Sequence, residues 1–481
     1  MKQENLIKLF ETWSGEKALK YEPLPQSGSY REYYRISSPR KTALGVFNSD
    51  NQENIAFLSF SKHFLSKGLN VPKIYLESLE NDSYLIEDLG DTTLFSFLTE
   101  ERKSEGWSEN ITNYYRQVLE ALPSFQVHAG KDLDYSVCYP RAKFDKQSMM
   151  WDLNYFKYYF LKLAKIPFDE QALESDFHTF IDYLLGTQTD FFLYRDFQSR
   201  NIMLRDGRPY FIDYQGGRRG ALQYDLASLL YDAKADIPQQ VRSELLAHYI
   251  KSLKKQKGFA KLNEPGFIQY FFGYVFIRIM QAMGAYGFRG FYEKKEHFLK
   301  SIPYALENLR WLLDNVHLPV NLPALSKVWE RLTQSEALKK YSGDRKSEYA
   351  LTVSVNSFSY KKEIPRDSSG NGGGFVFDCR AIHNPGRYDK YKLLTGKDPE
   401  VIEFLEKESE VGAFLDHVKK LIDSSVEVYT KRKFTNLMIS FGCTGGQHRS
   451  VYCAEKIAHY LSGRKDVEVI LTHTELNNRS R

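Results

Sequence analysis

In the first 90 residues, a helical period at Leu6–Trp13 is followed by short apolar runs of strand length, which surround a second helical segment. The strand-like runs are Gly28–Ile36, Lys41–Phe47, Val71–Tyr75 and Tyr84–Asp91. Between the second and the third, Asn51–Leu65 carries apolar residues at the spacing of one helix face. From Thr92 onward the pattern becomes helical. The chain is therefore predicted to begin with a small sheet-containing lobe and to continue into a larger helical lobe.

Aromatic-rich helical segments fill residues 107–128 and 141–186, where the aromatic stripes are better explained as core than as a ligand cage. Further helices are predicted at Pro238–Lys254, Phe267–Met283 and Glu293–Val316. The polar and charged stretch 336–350 is typical of an interdomain linker. The pattern thus places a domain boundary within residues 336–350.

The remaining segment, 351–481, predicts a smaller α/β domain. Leu351–Tyr360 alternates apolar and polar residues as a strand does, and a glycine-rich loop then leads into Phe375–Arg380. Helices are predicted at 399–407 and 410–429. A buried strand, Leu437–Phe441, runs into a glycine-rich turn and a helix that ends near Leu461.

Composition narrows the class of protein without naming a function. With 481 residues, 42% of them hydrophobic, the chain has enough material for two or three cores. A net charge of +5 is too mild to identify a nucleic-acid-binding protein. The four cysteines have no metal-ligand spacing, and Phe267–Phe288 is interrupted by Arg278 and Gln281. We expect a soluble, cytoplasmic protein that does not bind membranes.

The stretch 190–231 carries the clearest chemistry. Phe191–Tyr194 and Pro209–Ile212 are interpreted as the strands of a hairpin around the turn 205–208. Asp196, Asn201 and Asp213 lie in this stretch. Phosphoryl transfer from a nucleotide needs one group that accepts the proton of the substrate hydroxyl and two oxygen ligands for Mg²⁺. The three side chains match that requirement.

This stretch, Tyr-Arg-Asp, four residues, Asn, then Ile-Asp-Tyr-Gln and Tyr-Asp-Leu-Ala-Ser-Leu-Leu, resembles the aminoglycoside phosphotransferase and choline kinase superfamily. It is most similar to the N-acetylmuramate/N-acetylglucosamine anomeric kinases. Tyr194 and Gln198 stand where histidines are usual. The resemblance implies Asp196 as catalytic base, Asn201 and Asp213 as Mg²⁺ ligands, and Arg195 and Asp225 as supports of the loop.

The same resemblance implies an α+β, two-lobed protein-kinase-like fold that uses ATP and Mg²⁺, followed by the smaller α/β domain. Its lobes would be residues 1–88 and 89–335, the linker 336–350 and the second domain 351–481. Backbone and hydroxyl groups of Ser27, Gly28 and Ser29 would cradle phosphates, although an ordinary hairpin turn is an equal alternative. Backbone groups around Glu87 and Leu89 would meet the adenine.

One expected residue is missing. The strand 42–47 should carry the lysine that pairs with the nucleotide phosphates, but it contains none. Either Lys41, Arg31 or Arg35 supplies the charge, or activity is low, or the protein is a pseudokinase. Glu53 could be the helix acid that normally pairs with this lysine, or an ordinary exposed glutamate at a helix start.

The glycine-rich turn 442–450 predicts an anion site, because it joins a strand to a helix N-terminus. With Phe-Val-Phe-Asp-Cys-Arg, Asn384-Pro385 and Leu394–Asp398, the segment 351–481 resembles the C-terminal domain of the RNase adapter protein RapZ. That resemblance implies binding of an amino-sugar phosphate and of RNA. The ligand would be surrounded by Asp378, Arg380, Cys443, Thr444, Gly445, Gly446, His448, Arg449 and Ser450.

Two departures weaken this second resemblance. The family's histidine after Asn-Pro is replaced by Gly386-Arg387, and the tail after Asn477 is only modestly basic, which puts RNA binding in doubt. A different class also fits the loop. Five residues separate Cys443 from Arg449, which is the spacing of cysteine-dependent phosphatases, although no general acid is evident.

The sequence therefore predicts transfer of the ATP γ-phosphoryl group to a sugar hydroxyl, foremost the anomeric hydroxyl of N-acetylmuramate or a related amino sugar. The attached domain would bind an amino-sugar phosphate. Two alternatives stay open: a pseudokinase scaffold for a metabolite- or RNA-binding regulatory domain, and an aminoglycoside- or choline-type phosphotransferase. A polycationic aminoglycoside needs an acidic cleft, whereas a carboxylate-bearing sugar needs arginine or lysine.

Overall fold

The computed structural model describes residues 2–25, 31–339, 341, 351–365, 367, 374–432, 434–464 and 467–477. The chain divides into two units: Met1–Tyr292 with Ser301–Lys339, and Lys340–Arg481 with the short segment Glu293–Lys300. Of the predicted linker 336–350, residues 336–339 form a short helix in the first unit. The remainder of the linker lies outside the described residues, except residue 341.

The first unit begins with a five-stranded antiparallel sheet of order β1-β2-β3-β5-β4. Its strands are β1 (Lys20–Pro23), β2 (Glu32–Ser37), β3 (Thr42–Phe47), β4 (Ile74–Ser78) and β5 (Ser83–Glu87). Helix α1 (Lys2–Ser14) covers one face with Leu6 and Phe10, which pack on Ile36, Ala43 and Leu85. On helix α2 (Asn51–Ser66), Phe57 stacks on Tyr84 at 5.4 Å. Since Tyr84 and Leu85 are consecutive strand residues, α2 lies on the opposite face.

The rest of the first unit is mainly helical. Its helices are α3 (Leu94–Glu105), α4 (Glu109–Pro123), α5 (Lys146–Tyr155), α6 (Glu170–Leu184), α7 (Leu222–Leu230), α8 (Gln239–Lys254), α9 (Glu264–Tyr286), α10 (Ile302–Asn315), α11 (Pro323–Gln334) and α12 (Glu336–Lys339). Helix α9 is buried for most of its length and packs against α5 and α7. Within the described residues, no helix combines the length and the apolar character needed to cross a membrane.

Two short antiparallel pairs carry the predicted active-site stretch. Strand β6 (Phe191–Leu193) pairs with β9 (Arg218–Gly220), and β7 (Ile202–Arg205) pairs with β8 (Arg208–Phe211). The predicted turn at 205–208 exists, but the prediction that Phe191–Tyr194 is its first strand is wrong. That strand is β7, whose pattern was obscured because Asn201 and Arg205 flank only three apolar residues.

The second unit is an α/β fold with a four-stranded parallel sheet of order β11-β12-β10-β13. The strands are β10 (Leu351–Ser359), β11 (Gly374–Asp378), β12 (Asn436–Cys443) and β13 (Val467–His473). The helices are α13 (Pro399–Glu408), α14 (Val411–Lys431), α15 (Arg449–Ser462) and α16 (Thr474–Asn477). Apolar residues of β10, β12, α14 and α15 form its core. The sequence did not predict β13.

Candidate functional site

Asp196, Asn201 and Asp213 meet in one cluster of the first unit. The Asn201 Nδ2 group donates to the Asp196 main-chain oxygen at 2.9 Å and to Asp213 Oδ2 at 3.1 Å. Asp196 follows β6, Asn201 precedes β7, and Asp213 follows β8. The turn between β7 and β8 therefore brings residues 17 positions apart in the sequence to one place, with Asn201 as the bridge between the two acidic segments.

The backbone at this cluster adopts conformations that ordinary side chains avoid. Arg195 has φ +84° and Asp213 has φ +69°. A residue in this region costs about 1–3 kcal/mol and persists only where its surroundings hold it. Such strain is concentrated at functional sites, and here it falls immediately before Asp196 and on Asp213 itself.

Asp225 lies beneath the Asp196 loop. From helix α7 its carboxyl group accepts the main-chain N–H groups of Tyr194 at 2.8 Å and Arg195 at 3.0 Å, and it also accepts Gln126 Nε2 at 3.3 Å. The side chain is fully buried, and burial raises the pKa of Asp225 to about 7. These bonds fix the path of the chain into Asp196.

Arg195 makes a second set of contacts that the sequence did not indicate. Its Nη1 and Nη2 groups donate to the two oxygens of Asp152 at 2.8 and 2.7 Å, and Nη1 also donates to the Tyr224 hydroxyl at 2.6 Å. Asp152 lies on α5, 43 residues before Arg195. No local signal marks it, because its role depends on a helix that reaches the loop only in the folded chain.

The residues present fit a magnesium ion. Burial of the Asp213 side chain is the main cause that raises its pKa, and the charge of Asp196 adds to the increase, whereas Gln215, Arg31 and Asn201 oppose it. Gln215 Nε2 donates to Asp213 Oδ1 at 2.7 Å, while Gln215 Oε1 is buried without a hydrogen-bond partner among the described residues. A carboxylate and amide oxygens are hard ligands of the kind that Mg²⁺ prefers.

No group of three or more His, Cys, Asp or Glu side chains in the described part of the chain could hold a metal ion. This small protein donor set suits Mg²⁺ at a phosphoryl-transfer site, since that ion usually keeps several waters and binds substrate phosphates through its other positions. Asp213 and Asn201 would hold it, and Gln215, which the sequence did not single out, lies beside them.

The predicted nucleotide-binding residues divide into two groups. Ser27, Gly28 and Ser29 lie outside the described residues. The Glu87 side chain is occupied by Arg205 Nη1 at 2.9 Å, and its main-chain N–H donates to the Lys73 oxygen. No main-chain hydrogen bond joins Leu89 to another described residue. Leu89 is therefore the better placed of the two to offer backbone groups to an adenine.

The three cations proposed to replace the missing lysine have different partners. Lys41 Nζ donates to the main-chain oxygen of Ser14 at 2.9 Å, on the side of α1. Arg35 bridges Asp88 and Asp91 at the end of β5, at 2.7 and 2.9 Å. Arg31 donates from Nη2 to Glu53 Oε2 on α2 at 3.0 Å.

Two further buried arginines lie near Arg195 and Tyr224, beside the Asp196 loop. Arg218, which is 7% exposed, donates from Nε to the Gly216 oxygen at 3.0 Å. Arg278, which is 6% exposed, donates from Nε to Ser228 Oγ at 2.9 Å. Burial and then the charge of Arg195 lower the pKa of Arg218. In the described part of the chain, no carboxylate lies within ion-pair distance of Arg218 or Arg278.

Tyr224 is a neighbour of both arginines, close to the Asp196 loop. Burial raises the pKa of Tyr224 to about 12, and the charges of Arg195 and Arg278 oppose this increase. Three acids are buried near this loop as well: Asp152 and Asp225, which bond to Arg195 and to the main chain before Asp196, and Asp232, which accepts Ser199 Oγ at 2.8 Å. Among the described residues, none of these acids pairs with Arg218 or Arg278.

In the second unit, the predicted loop begins where β12 ends at the carboxyl edge of the parallel sheet. The main-chain N–H of Gly446 donates to Cys443 Sγ at 3.2 Å, and Ser450 Oγ lies 3.1 Å from the same sulfur. Gly446 has φ +65°, and a Cβ atom there would lie 2.4 Å from Glu475 Cγ. Thr444 and Gly445 are exposed. The outer part of the loop is thus open, and its inner part surrounds the thiol.

The predicted side-chain ligands of this loop are not all turned toward it. Arg449 Nη1 donates to the carbonyl oxygens of Arg380 at 2.8 Å and Ile382 at 2.9 Å. His448 Nε2 donates to the Tyr391 oxygen at 2.9 Å. Asp378 and Arg380 form a partly exposed ion pair at 2.7 Å. The arginine and the histidine therefore hold the neighbouring segment 380–391 in place.

These bonds bear on the phosphatase alternative. In that chemistry the arginine of the loop must hold the phosphate while the thiolate attacks. The Ser450 hydroxyl lies close enough to the Cys443 sulfur for this chemistry, but Arg449 Nη1 already donates to two main-chain oxygens. The geometry favours a binding loop over a catalytic one.

Comparisons with known proteins agree with this division into two units. Residues 20–263, half of the chain, match the model of the phosphotransferase enzyme family, APH, and the chain belongs to that family. Residues 351–477 match the RapZ C-terminal domain. The protein is thus an APH-type phosphotransferase domain joined to a RapZ C-terminal domain.

Curated relatives and solved structures are more distant. Nucleotide-binding proteins of Endomicrobium trichonymphae and Bacillus licheniformis are each 38% identical over 126 and 133 residues, which cover 26% and 28% of this chain. The chain spans less than half of those relatives, 42% and 43%. Choline kinase LicA from Streptococcus pneumoniae aligns at 16% identity over 71% of this chain and 100% of its own, with a TM-score of 0.41. Amicoumacin kinase hAmiN, solved with AMP-PNP and Ca²⁺, aligns at 12% identity over 66% and 88%, with a TM-score of 0.39.

Proposed function

We propose that the first unit is an active ATP- and Mg²⁺-dependent phosphotransferase, and that its acceptor is a sugar hydroxyl, foremost that of N-acetylmuramate or a related amino sugar. Residues 1–88 and 89–335 are its two lobes. The observation that carries this proposal is the Asn201 bridge between Asp196 and Asp213. It supports a complete set of one base and two metal ligands, which a pure scaffold would not need.

Each residue has a separate task in this mechanism. Asp196 accepts the proton of the acceptor hydroxyl as its oxygen forms a bond to the γ-phosphorus and ADP leaves. Asp213 and Asn201 would hold a magnesium ion, which would supply positive charge to the phosphate oxygens when bound. Asp225 fixes the loop so that Asp196 faces the acceptor. The reaction needs no covalent intermediate on the protein.

Two buried arginines near the Asp196 loop support the class of sugar that we propose. Arg218 and Arg278 are buried cations without a carboxylate partner among the described residues. An acceptor that carries a carboxylate, as N-acetylmuramate does, would satisfy them, whereas a polycationic aminoglycoside or choline would not. ATP-dependent chemistry and four free cysteines also suit a cytoplasmic protein.

The test is ATP turnover by the full chain against N-acetylmuramate, N-acetylglucosamine, other hexoses, choline and kanamycin. We expect one amino sugar to be phosphorylated, and Asp196→Asn to abolish the reaction while ATP binding persists. Asp206→Asn is the matched control, because Asp206 lies in the exposed turn between β7 and β8. Equal turnover in wild type and Asp196→Asn would refute the mechanism, and phosphorylation of kanamycin or choline alone would refute the acceptor class.

We further propose that the second unit binds an amino-sugar phosphate at the loop 443–450, and RNA remains a second proposed partner from the same resemblance. The N-terminus of α15 and the open backbone of Thr444 and Gly445 support phosphate binding. Since Arg449 is held by main-chain oxygens, we assign the phosphate contact to the backbone of the loop rather than to that guanidinium.

A further inference from the structure

The position that should carry the phosphate-binding lysine is apolar. In the ladder of the sheet, Val46 of β3 lies between Tyr33 of β2 and Tyr84 of β5. Ala43 and Gly45 face α1, so Leu44 and Val46 face the opposite side, where Phe57 of α2 stacks on Tyr84. Val46 is fully buried. Strand β3 therefore places no positively charged side chain on the face of the sheet that packs against α2.

Arg31 supplies a cation at this place from a different strand. It immediately precedes β2, and its position two residues before Tyr33 puts it on the same face as Tyr33 and Val46. The side chain is 3% exposed and its guanidinium lies 5.8 Å from the ring of Phe57. It is thus a buried cation next to the position that β3 leaves apolar.

Glu53 holds this guanidinium in a defined orientation. Arg31 Nη2 donates to Glu53 Oε2 at 3.0 Å, and Asn48 Nδ2 donates to the same oxygen at 3.2 Å. The main-chain N–H of Glu53 donates to Asp50, which caps the N-terminus of α2. Glu53 is therefore fixed at the first turn of α2, and its carboxylate holds the Arg31 guanidinium at that position. This relation of a cation to a helix acid is what phosphoryl transfer uses to place a positive charge on the nucleotide.

Phe57 connects Arg31 to the segment that carries Asp213. The ring of Phe57 lies 5.8 Å from the Arg31 guanidinium, and it stacks on the ring of Tyr214, the residue after Asp213, at 5.3 Å. Lys41 and Arg35 make other contacts, since they are bonded to Ser14 and to the acids after β5.

We propose that Arg31, positioned by Glu53, binds the phosphates of the nucleotide in place of the lysine that β3 lacks. This assignment rests on the proposed phosphotransferase function. The guanidinium presents several donors in one plane, so that some can contact phosphate oxygens while Nη2 keeps its bond to Glu53. The positive charge that β3 does not provide would then come from the residue that precedes β2.

Equilibrium binding of ATP and of adenosine to the full chain separates this role from folding. Arg31→Gln should weaken ATP binding by about tenfold or more, since a charge-assisted contact to phosphate is lost, and should leave adenosine binding unchanged. Glu53→Gln should weaken ATP binding less. Arg40→Gln is the matched control, because Arg40 lies in the same lobe, is exposed and pairs with Glu16.

A double variant distinguishes the loss of a phosphate contact from a folding defect. Arg31→Gln combined with Val46→Lys returns a cation to the β3 position and should recover most of the ATP affinity. Unchanged ATP affinity in Arg31→Gln, or equal loss of ATP and adenosine binding with no recovery in the double variant, would overturn the assignment. If the wild-type protein does not bind ATP at all, the proposed function is wrong. If it binds ATP but phosphorylates no acceptor, Arg31 keeps its proposed role and the proposal that the protein is an active enzyme is wrong.

Discussion

The pair Arg195 and Asp152 offers a sharp test of how the Asp196 loop is held. Both hydrogen bonds between them are short, at 2.8 and 2.7 Å, and the side chains are only 16% and 10% exposed. Asp152→Ala would leave the Arg195 guanidinium buried with the Tyr224 hydroxyl as its remaining side-chain partner. It would also release a residue whose φ of +84° is unfavourable.

The magnitude follows from these contacts. Removing one member of a buried ion pair costs about 3–5 kcal/mol, because the other charge loses its compensation. The Tyr224 hydroxyl and the Phe144 ring, 4.9 Å from the guanidinium, soften the loss. We therefore expect Asp152→Ala to lower the free energy of unfolding by about 3 kcal/mol. A double-mutant cycle with Arg195→Ala should give a coupling energy of about 2 kcal/mol or more.

Urea denaturation followed by tryptophan fluorescence measures this effect in one unit alone. All five tryptophans, at positions 13, 107, 151, 311 and 329, belong to the first unit. The control cycle uses Lys146 and Asp182, which form an exposed pair at 2.6 Å with side chains 49% and 61% exposed. Exposed pairs contribute about 0.2–1 kcal/mol. A coupling energy for Arg195 and Asp152 no larger than that of the control would refute this account of the loop.

Two further predictions concern Asp225 and the loop of the second unit. Because burial raises the pKa of Asp225 to about 7, the folded state keeps a proton that the unfolded state loses near pH 4. Stability should therefore fall by about 1.4 kcal/mol per pH unit as pH rises from 5 to 7, and level off above pH 8. Asp225→Asn should lack this contribution in the same urea assay; parallel pH profiles would contradict it. In the second unit, Gly445→Asp should abolish binding of glucosamine 6-phosphate, measured by calorimetry, through repulsion of the phosphate, whereas the neutral Gly445→Asn should bind. A Cβ atom at Gly445 meets nothing within 4 Å, so equal binding by both variants would show that the phosphate lies elsewhere.

Much of the architecture could be predicted because it depends on local pattern. Short apolar runs marked β3 and most of β5, and the helical period marked α2, α8, α9, α13 and α14. Strands with few apolar residues were not predicted: β1 has a single aromatic residue, and β9 is Arg-Arg-Gly. These strands form because a neighbouring strand supplies hydrogen bonds, which a single-sequence pattern does not show.

The residues of the candidate site likewise fall into those that the sequence indicated and those that it did not. Asp196, Asn201, Asp213 and Asp225 lie within 30 residues of one another, so their spacing could be recognised from the sequence, and their catalytic roles remain predictions. Asp152 and the Arg31–Glu53 pair depend on contacts across 43 and 22 residues. Such pairs have no characteristic spacing, because the helices and strands between them set the distance.

By itself, the sequence determined the order of the two units, the catalytic motif and the glycine-rich loop, because these are encoded in short stretches with fixed spacing. Tertiary structure decided which of Lys41, Arg31 and Arg35 faces Glu53 and which way Arg449 points. A long cationic side chain has many conformers of similar energy, and only the packed neighbours select one of them. The identity of the cation was therefore open in the sequence and fixed by the fold.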